Sequence, residues 1–189
     1  MADFQTALTG LLAREGGWNH HPHDEGGETY AGISRHHHPD WPGWRFIDAS
    51  REHPAFPDLL TDLTCLKRQV TNWYREYYWD RIGGGRIASQ RVANRLLDLA
   101  AHLGASRAAS ILQQIISLLS SPNCPQLAID GIIGPRTQTA IDHIHNTGRS
   151  RTLTIALAIR QGEHYLARVR GTPTQRVFLD GWLSRLDPA

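Results

Sequence analysis

The sequence predicts a mainly α fold with one small β-hairpin or irregular lobe placed early in the chain. Two observations lead to this class. Apolar residues recur at helical spacing through most of the chain, and that period vanishes between Trp18 and Ile33, where glycine, proline, histidine and aspartate dominate. No low-complexity tract or internal repeat interrupts the pattern.

The elements follow in order. Phe4, Ala7, Leu8, Leu11 and Leu12 predict a first helix, with Asp3 placed as its N-cap and Gly16-Gly17 stopping it just after Glu15. Gly26-Gly27 reads as a turn, and Thr29-Tyr30 as strand residues of a short hairpin or folded loop. A second turn-rich stretch, 36–57, carries Trp41, Trp44 and Phe46. Helical period resumes with Leu59, Leu63, Leu66, Val70, Trp73, Tyr74 and Tyr77, and Gly83-Gly84-Gly85 ends it. Val92, Leu96, Leu97, Ala100 and Leu103 mark the next helix, closed by Gly104. Ser106 is placed to cap another through Leu112, Ile115, Ile116 and Leu119. Asp130-Gly131 reads as a tight turn, Gly134-Pro135 starts a helix with proline in its first turn, a long helix spans about 152–170, and a final one carries Val177, Phe178, Trp182 and Leu183.

Composition bounds the function. With 40% hydrophobic and 20% charged residues, the 189-residue chain can bury one substantial core or two small ones. The formal net charge of +2 suits an anionic polymer without requiring one. No basic tract interleaves with aromatics, which argues against nucleic acid as a partner. No apolar run is long enough for membrane insertion. Residues 1–14 lack the basic and apolar regions of a signal peptide, so the expectation is synthesis in the cytoplasm and release by other means. Cys65 and Cys124 read as idle thiols, and spacing alone does not pair them.

The insert holds the densest cluster of ionisable residues: Glu15, His20, His21, His23, Asp24, Glu25 and Glu28. Glu15 ends an apolar helix, where partial desolvation would raise its carboxyl pKa. A glutamate moved from ~4.3 to ~6 has its acid form favoured by roughly 2.3 kcal/mol. Asp24, in a polar turn, should remain an anion. One carboxyl kept as acid and one as anion is the pair that glycoside hydrolysis requires. The histidines at 20, 21, 23 and 36–38 lack a helical His-x-x-x-His pair or a cysteine partner, so no metal site and no cofactor is assigned. Trp18, Tyr30, Trp41 and Trp44 lie in turn-rich sequence and are candidates either to stack on sugars or to pack under the loop. Trp73, Tyr74 and Tyr77 read as core, and Asp98 and His102, four residues apart, as a structural hydrogen-bonding pair.

Several blocks then converge on one family. Glu15-Gly16-Gly17-Trp18, Asp24-Glu25-Gly26-Gly27-Glu28-Thr29 and Gly32-Ile33-Ser34 resemble the N-terminal signature of glycoside hydrolase family 108, the N-acetylmuramidases of phages and bacteria. Tyr78-Trp79-Asp80 and Asp98-Leu99-Ala100-Ala101-His102-Leu103-Gly104 are similar to two further blocks, with His102 where asparagine is commoner. Asp130-Gly131-Ile132-Ile133-Gly134-Pro135 with Thr137, and Phe178 with Gly181-Trp182-Leu183 and Arg185, resemble the start and end of the accompanying peptidoglycan-binding-like helices. The resemblance implies a lysozyme-like fold with its small lobe beside the active cleft, and Glu15 as catalytic acid. The step from Glu15 to Asp24 and then Thr29 is also similar to the Glu/Asp/Thr arrangement of phage-type lysozymes, which implies that Asp24 and Thr29 position a water. Glu28 is a rival to Asp24 as second carboxylate and otherwise joins Trp18, Tyr30 and His102 as a substrate-binding candidate.

The expected division is a lysozyme-like region at 1–86 and a helical peptidoglycan-binding-like region at 87–189, separate or joined in one body. Bacterial peptidoglycan is the expected partner, cut between N-acetylmuramic acid and N-acetylglucosamine in the periplasm or wall after holin-type or dedicated secretion release. An immunity protein or a secretion-apparatus component is a candidate second partner. Phage endolysin and antibacterial effector both fit the sequence. The alternative is a non-catalytic wall-binding or secretion-accessory module that kept the fold; the presence of both Glu15 and a nearby carboxylate favours the enzyme.

Overall fold

The computed structural model describes residues 1–20, 27–120 and 127–186. Among them stand eight α-helices and one three-stranded sheet: α1 (Phe4–Leu12), β1 (Trp18–His20), β2 (Glu28–Tyr30), β3 (Ile33–Ser34), α2 (Trp44–Ser50), α3 (Thr64–Tyr74), α4 (Gln90–Leu103), α5 (Ala105–Leu119), α6 (Pro135–Asn146), α7 (Ser150–Gly171) and α8 (Leu179–Ser184). Short 3-10 turns cover Asp58–Asp62, Gly84–Arg86 and Pro173–Phe178, and a π turn covers Arg75–Trp79. The mainly α, lysozyme-like class with a small sheet in the early insert is borne out. None of the described helices is long and apolar enough to cross a membrane.

The chain forms two compact units, one of Leu8–Glu76 and one of Met1–Ala7 with Tyr77–Ala189. In the first of these the sheet runs β1-β2-β3, antiparallel throughout. Trp18 pairs with Tyr30, Asn19 with Thr29, His20 with Glu28, and Tyr30 with Ile33. The register places Glu28 and Tyr30 on the buried face of β2 and Thr29 on the other, as a period of two requires. Tyr30, Ile33, Trp41, Trp44, Ile47, Leu60, Leu66 and Val70 supply much of the core of this unit.

One helix here escaped the sequence reading. α2 is seven residues long inside a stretch expected to be all turn, and only Trp44 and Ile47, three apart, are buried along it. Two apolar positions cannot display a helical period. Gly43 precedes the helix because the Trp41 ring lies against its backbone: a β-carbon there would stand 2.1 Å from the indole. The helix expected to continue from Leu59 to Tyr77 is instead a 3-10 turn, α3 and the π turn. Buried Tyr74 and Trp79 are five residues apart, a spacing that a π turn accommodates and an α-helix does not.

In the larger unit the first residues are tied to the start of α4. The Ala2 amide donates to the Ile87 carbonyl at 2.7 Å, and Asp3 and Gln90 exchange hydrogen bonds of 2.7 and 3.0 Å. Asp3 caps α1 as expected, its Oδ1 accepting from the Thr6 amide at 2.7 Å. Gly104 (φ +85°) ends α4 and opens α5 directly, so Ser106 lies inside the first turn and does not cap it. α4 packs against α5 and α7 through Val92, Leu96, Leu99, Leu112, Ile116, Leu153 and Leu157. Fully buried Gln113 organises the Asp130-Gly131 turn: its amide donates to Asp130 Oδ1 at 2.7 Å and to the Ile132 carbonyl at 3.0 Å, while its oxygen accepts from the Gly131 amide at 3.0 Å.

A buried arginine fastens the end of the chain to this bundle. Arg95 of α4 is 6% exposed and donates to the carbonyls of Arg185 and Leu186 at 2.8 and 3.2 Å, with buried Asp98 3.8 Å away. Asp98 in turn accepts from Gln161 at 2.7 Å and so is held by α7. Removing one partner of a buried charged group costs about 3–5 kcal/mol, because the other groups lose their compensation. Arg95→Met should therefore lower unfolding stability by roughly 3 kcal/mol in urea titration; a loss below about 1 kcal/mol would show that the carbonyls find water instead.

Candidate active site

Glu15 stands where the first helical stretch reverses. Its amide donates to the Leu12 carbonyl at 3.2 Å, a last tight turn, and Gly16, at φ +52°, then takes the chain into β1. The carboxyl is half-buried and reaches the turn between β2 and β3.

That turn is only two residues, Ala31 and Gly32, with φ of +47° and +79°. Two left-handed residues are the pattern of a type I′ hairpin, whose twist matches that of the strands. Gly32 adopts it freely; Ala31 bears a cost of roughly 1–2 kcal/mol. Three contacts hold Ala31 there. Its amide donates to the Gly17 carbonyl at 3.3 Å, its carbonyl accepts from the buried Tyr74 hydroxyl at 2.8 Å, and the adjoining Tyr30–Ile33 pair closes the ladder. At roughly 1 kcal/mol per hydrogen bond these contacts offset the strain. The missing side chain of Gly32 matters more for chemistry. A β-carbon there would lie 2.6 Å from Glu15 Oε2 and 2.7 Å from the Tyr74 hydroxyl oxygen. Only glycine leaves room for both.

Glu28 has very different surroundings. It is 8% exposed, accepts from Trp18 Nε1 at 2.7 Å and from Arg51 at 2.5 Å, and forms an ion pair with Arg35, whose Nε stands 2.9 Å away. Arg35 and Arg51 also share Asp48, at 2.7 and 3.2 Å. Hydrogen bonding from Arg35, reinforced by Arg51, holds the Asp48 carboxyl below its ordinary range. Both oxygens of Glu28 are thus committed to cations or to an indole. Trp18, fixed by that bond, meets Phe56 edge-on at 4.9 Å. Tyr30 is buried, stacks on Trp41 at 6.4 Å and donates to the Leu60 carbonyl at 3.2 Å; burial pushes its phenol pKa up. Thr29 is half-buried, and its hydroxyl has a 3.5 Å contact to the Asn19 carbonyl, too long to hold it firmly.

The structure therefore gathers Glu15, Trp18, Glu28, Thr29 and Tyr30 in one unit around a single small sheet. Asp24 lies outside the described residues, as do His21, His23 and Glu25. His102 belongs to the other unit, on α4, edge-on to Tyr165 at 5.8 Å. Asp98 finds Gln161 as its hydrogen-bond partner. Among the described residues no three His, Cys, Asp or Glu side chains converge as a metal-binding group would. Half-buried Cys65 is a free thiol on α3, and Cys124 lies outside the described residues.

Residues 8–104, which contain this whole arrangement, match the family model described as Glycosyl hydrolase 108. The chain belongs to glycosyl hydrolase family 108. It is a glycoside hydrolase, and residues 107–187 match a second model, described as Predicted Peptidoglycan domain. Among solved structures the hydrolase is similar to one titled "Structure of Brucella abortus SagA", with 27% identity, a TM-score of 0.59, and coverage of 97% of this chain and 88% of that one. No curated protein matches it.

Within the hydrolase, sequence reasoning passed over three side chains of the site. Tyr74 was expected in the core, and its ring is there, but its hydroxyl serves the Ala31-Gly32 turn. Arg35 and Arg51 carry no motif; the only hint was a glutamate in an apolar strand context, which must find cations if it is buried. His38 is a further titratable group of this unit. It packs edge-on against Trp73 at 4.3 Å, and burial, then the neighbouring His37, lower its pKa.

Two outcomes follow. Gly32→Ala forces a β-carbon between Glu15 and Tyr74, so turnover should fall on the order of 10²-fold, the usual effect of an ångström-scale misplacement. The thermal midpoint should drop by only a few degrees, about what 1–2 kcal/mol produces in a chain of this size. Near wild-type turnover would show that Glu15 is not set by this turn. For His38 the folded pKa lies below the ordinary 6.5, so the fold prefers the neutral ring. Its contribution is complete above that value and is lost as pH falls through 6.5 towards the folded pKa, since the unfolded chain then binds the proton first. Proton NMR should place the His38 midpoint below 6.5, and His38→Gln should flatten the decline in thermal midpoint between neutral and mildly acid pH.

Proposed function

We propose that this protein is an N-acetylmuramidase that hydrolyses the β-1,4 bond between N-acetylmuramic acid and N-acetylglucosamine in peptidoglycan. Glu15 is its general acid. The observation that carries this reading is the seating of the Glu15 carboxyl at the side-chain-free face of Gly32, inside the span matched by a glycoside hydrolase family. Asp24 and Thr29 position the attacking water. The loosely held Thr29 hydroxyl supports that role, being able to turn towards a water. Glu28, saturated by Arg35, Arg51 and Trp18, is assigned to holding Trp18 and the sheet rather than to proton or water chemistry. Trp18 and Tyr30 are assigned to the sugar site; they are paired across β1 and β2, with Trp18 half-buried and Tyr30 buried.

Catalysis is assigned to residues 1–86 and wall binding to the helices of 87–189, a reading supported by the peptidoglycan model match at 107–187. The site of action is the periplasm or cell wall, reached by holin-type or dedicated secretion release. Phage endolysin and antibacterial effector remain its two biological settings, the second calling for an immunity protein.

An inverting glycosidase keeps its carboxyl groups ~6.5–9.5 Å apart to admit water, whereas a retaining one needs ~5–5.5 Å. Glu15 ends a helical stretch, Asp24 follows nine residues later across a glycine- and histidine-rich segment, and Thr29 adds a hydroxyl for water, so inversion is the proposed outcome. Glu15→Gln should remove wall lysis, a loss of at least ~10²-fold, with an unchanged thermal midpoint. Mass spectrometry of the muropeptides should show N-acetylmuramic acid at the new reducing ends. NMR read before mutarotation should show the α anomer first. Full activity in Glu15→Gln would end the assignment of the acid; a β anomer would replace inversion by retention.

A further inference from the structure

Trp18 is half-buried, and its side chain has one polar atom, the indole N–H. That N–H donates to Glu28 Oε1 at 2.7 Å, and Glu28 is itself 8% exposed, so the polar edge of the ring is turned inward. Only hydrocarbon is left for Trp18 to set against a ligand. The same Glu28 oxygen accepts from Arg51 at 2.5 Å, while Oε2 faces Arg35 Nε at 2.9 Å as an ion pair. Arg51 follows the last turn of α2. Asp48, within that helix, ties the two arginines together, 3.2 Å from Arg51 Nε and 2.7 and 3.2 Å from the two terminal nitrogens of Arg35. Phe56 meets the indole edge-on at 4.9 Å. The ring is therefore fixed by two arginines and two carboxylates that together connect α2 to β2.

We infer that Arg51, acting through Glu28, is a positioning residue for glycan affinity: it locks the Trp18 indole so that the ring meets the apolar face of a pyranose and donates no hydrogen bond to it. The β-linked sugars of peptidoglycan carry their ring substituents equatorially, and so present axial C–H groups on both faces. An indole whose N–H is already engaged can recognise such a face and has nothing to offer a hydroxyl or an acetamide oxygen. Locking the ring before the sugar arrives removes the loss of side-chain freedom that binding would otherwise entail. That effect belongs to KM and leaves the chemical step alone. This inference rests on the assignment of Trp18 to the sugar site made above.

The test measures kcat and KM on a soluble peptidoglycan oligosaccharide for wild type, Trp18→Phe, Arg51→Met and the double variant. Trp18→Phe should raise KM about fivefold, the smaller ring covering less of the sugar. Arg51→Met should raise it about threefold, within the range expected for freeing one side chain. Both should keep kcat within about twofold of wild type. The double variant should match Trp18→Phe alone, because Arg51 acts on the sugar through the indole; a merely structural loss would multiply the two effects. Suppose Trp18→Phe raises KM while Arg51→Met does not, or lowers kcat instead, or the double variant shows the product of the two. The role of Arg51 is then overturned and Trp18 keeps its place. If Trp18→Phe leaves KM unmoved, the assignment of Trp18 to the sugar site falls and the inference with it. Should Arg51→Met fail to fold, proton NMR of the wild-type indole N–H, assigned by its absence in Trp18→Phe, decides the matter. That proton should exchange slowly with solvent at low salt and faster when ~1 M salt screens the half-exposed Arg51 pair. Fast exchange at low salt, or exchange that salt leaves unchanged, overturns the inference.

Discussion

The hairpin between β2 and β3 closes in two residues, and both are left-handed. Much of the smaller unit depends on this geometry. A longer connection would break the Tyr30–Ile33 pairing and, with it, the alternation that buries Glu28 and Tyr30 while turning Thr29 the other way. A one-residue slip would exchange those faces, placing the Glu28 carboxylate in water and a threonine among the arginines. The strained Ala31 is tolerated because its neighbours over-determine it, the general condition under which such backbone persists. Tyr74 supplies one of those constraints from α3, 43 residues further along the chain.

Two glutamates of this unit have opposite environments. Glu28 has traded water for two guanidinium groups and an indole N–H. Glu15 sits at the mouth of a glycine turn with a phenol beside it. Local backbone produces the difference. Glu28 opens β2, opposite His20 and against Arg35 and Arg51, whereas Glu15 comes after a helical stretch has ended and before Gly16 turns the chain away. The same residue type is thus embedded among cations in one place and set against a glycine turn in the other.

Helical period made α1, α4, α5 and α7 legible because each buries one face along several turns, while Asp3 and Gly104 mark ends of α1, α4 and α5 and Gly134-Pro135 marks the start of α6 by local chemistry. The sheet was legible only as an absence of that period plus Thr29-Tyr30. α2 was hidden because two buried residues define no repeat, and the π turn because it alters spacing without altering composition. Of the site, Glu15 could be read from its place between an apolar helix and two glycines. The partners of Glu28 could not, since Arg35 and Arg51 lie 7 and 23 residues away and meet it only after the hairpin and α2 fold together. Tyr74 was legible as apolar bulk; the role of its hydroxyl depends on a contact across the fold that no local pattern encodes.

The seam between the two family matches, at 104 to 107, falls inside the larger unit. Arg95, on the hydrolase side of that seam, holds the carbonyls of Arg185 and Leu186 at the far end of the peptidoglycan-domain match. The two matched segments are therefore not interchangeable cassettes. A chimera spliced at residue 105, or a catalytic fragment cut there, would strand a buried guanidinium and expose the apolar faces of α4 that α5 and α7 cover. The compact unit that contains the peptidoglycan-domain match also takes in α4 and, through Ala2 and Asp3, the first seven residues, so its limits lie some thirty residues before the boundary that sequence comparison draws and are not those of one continuous segment.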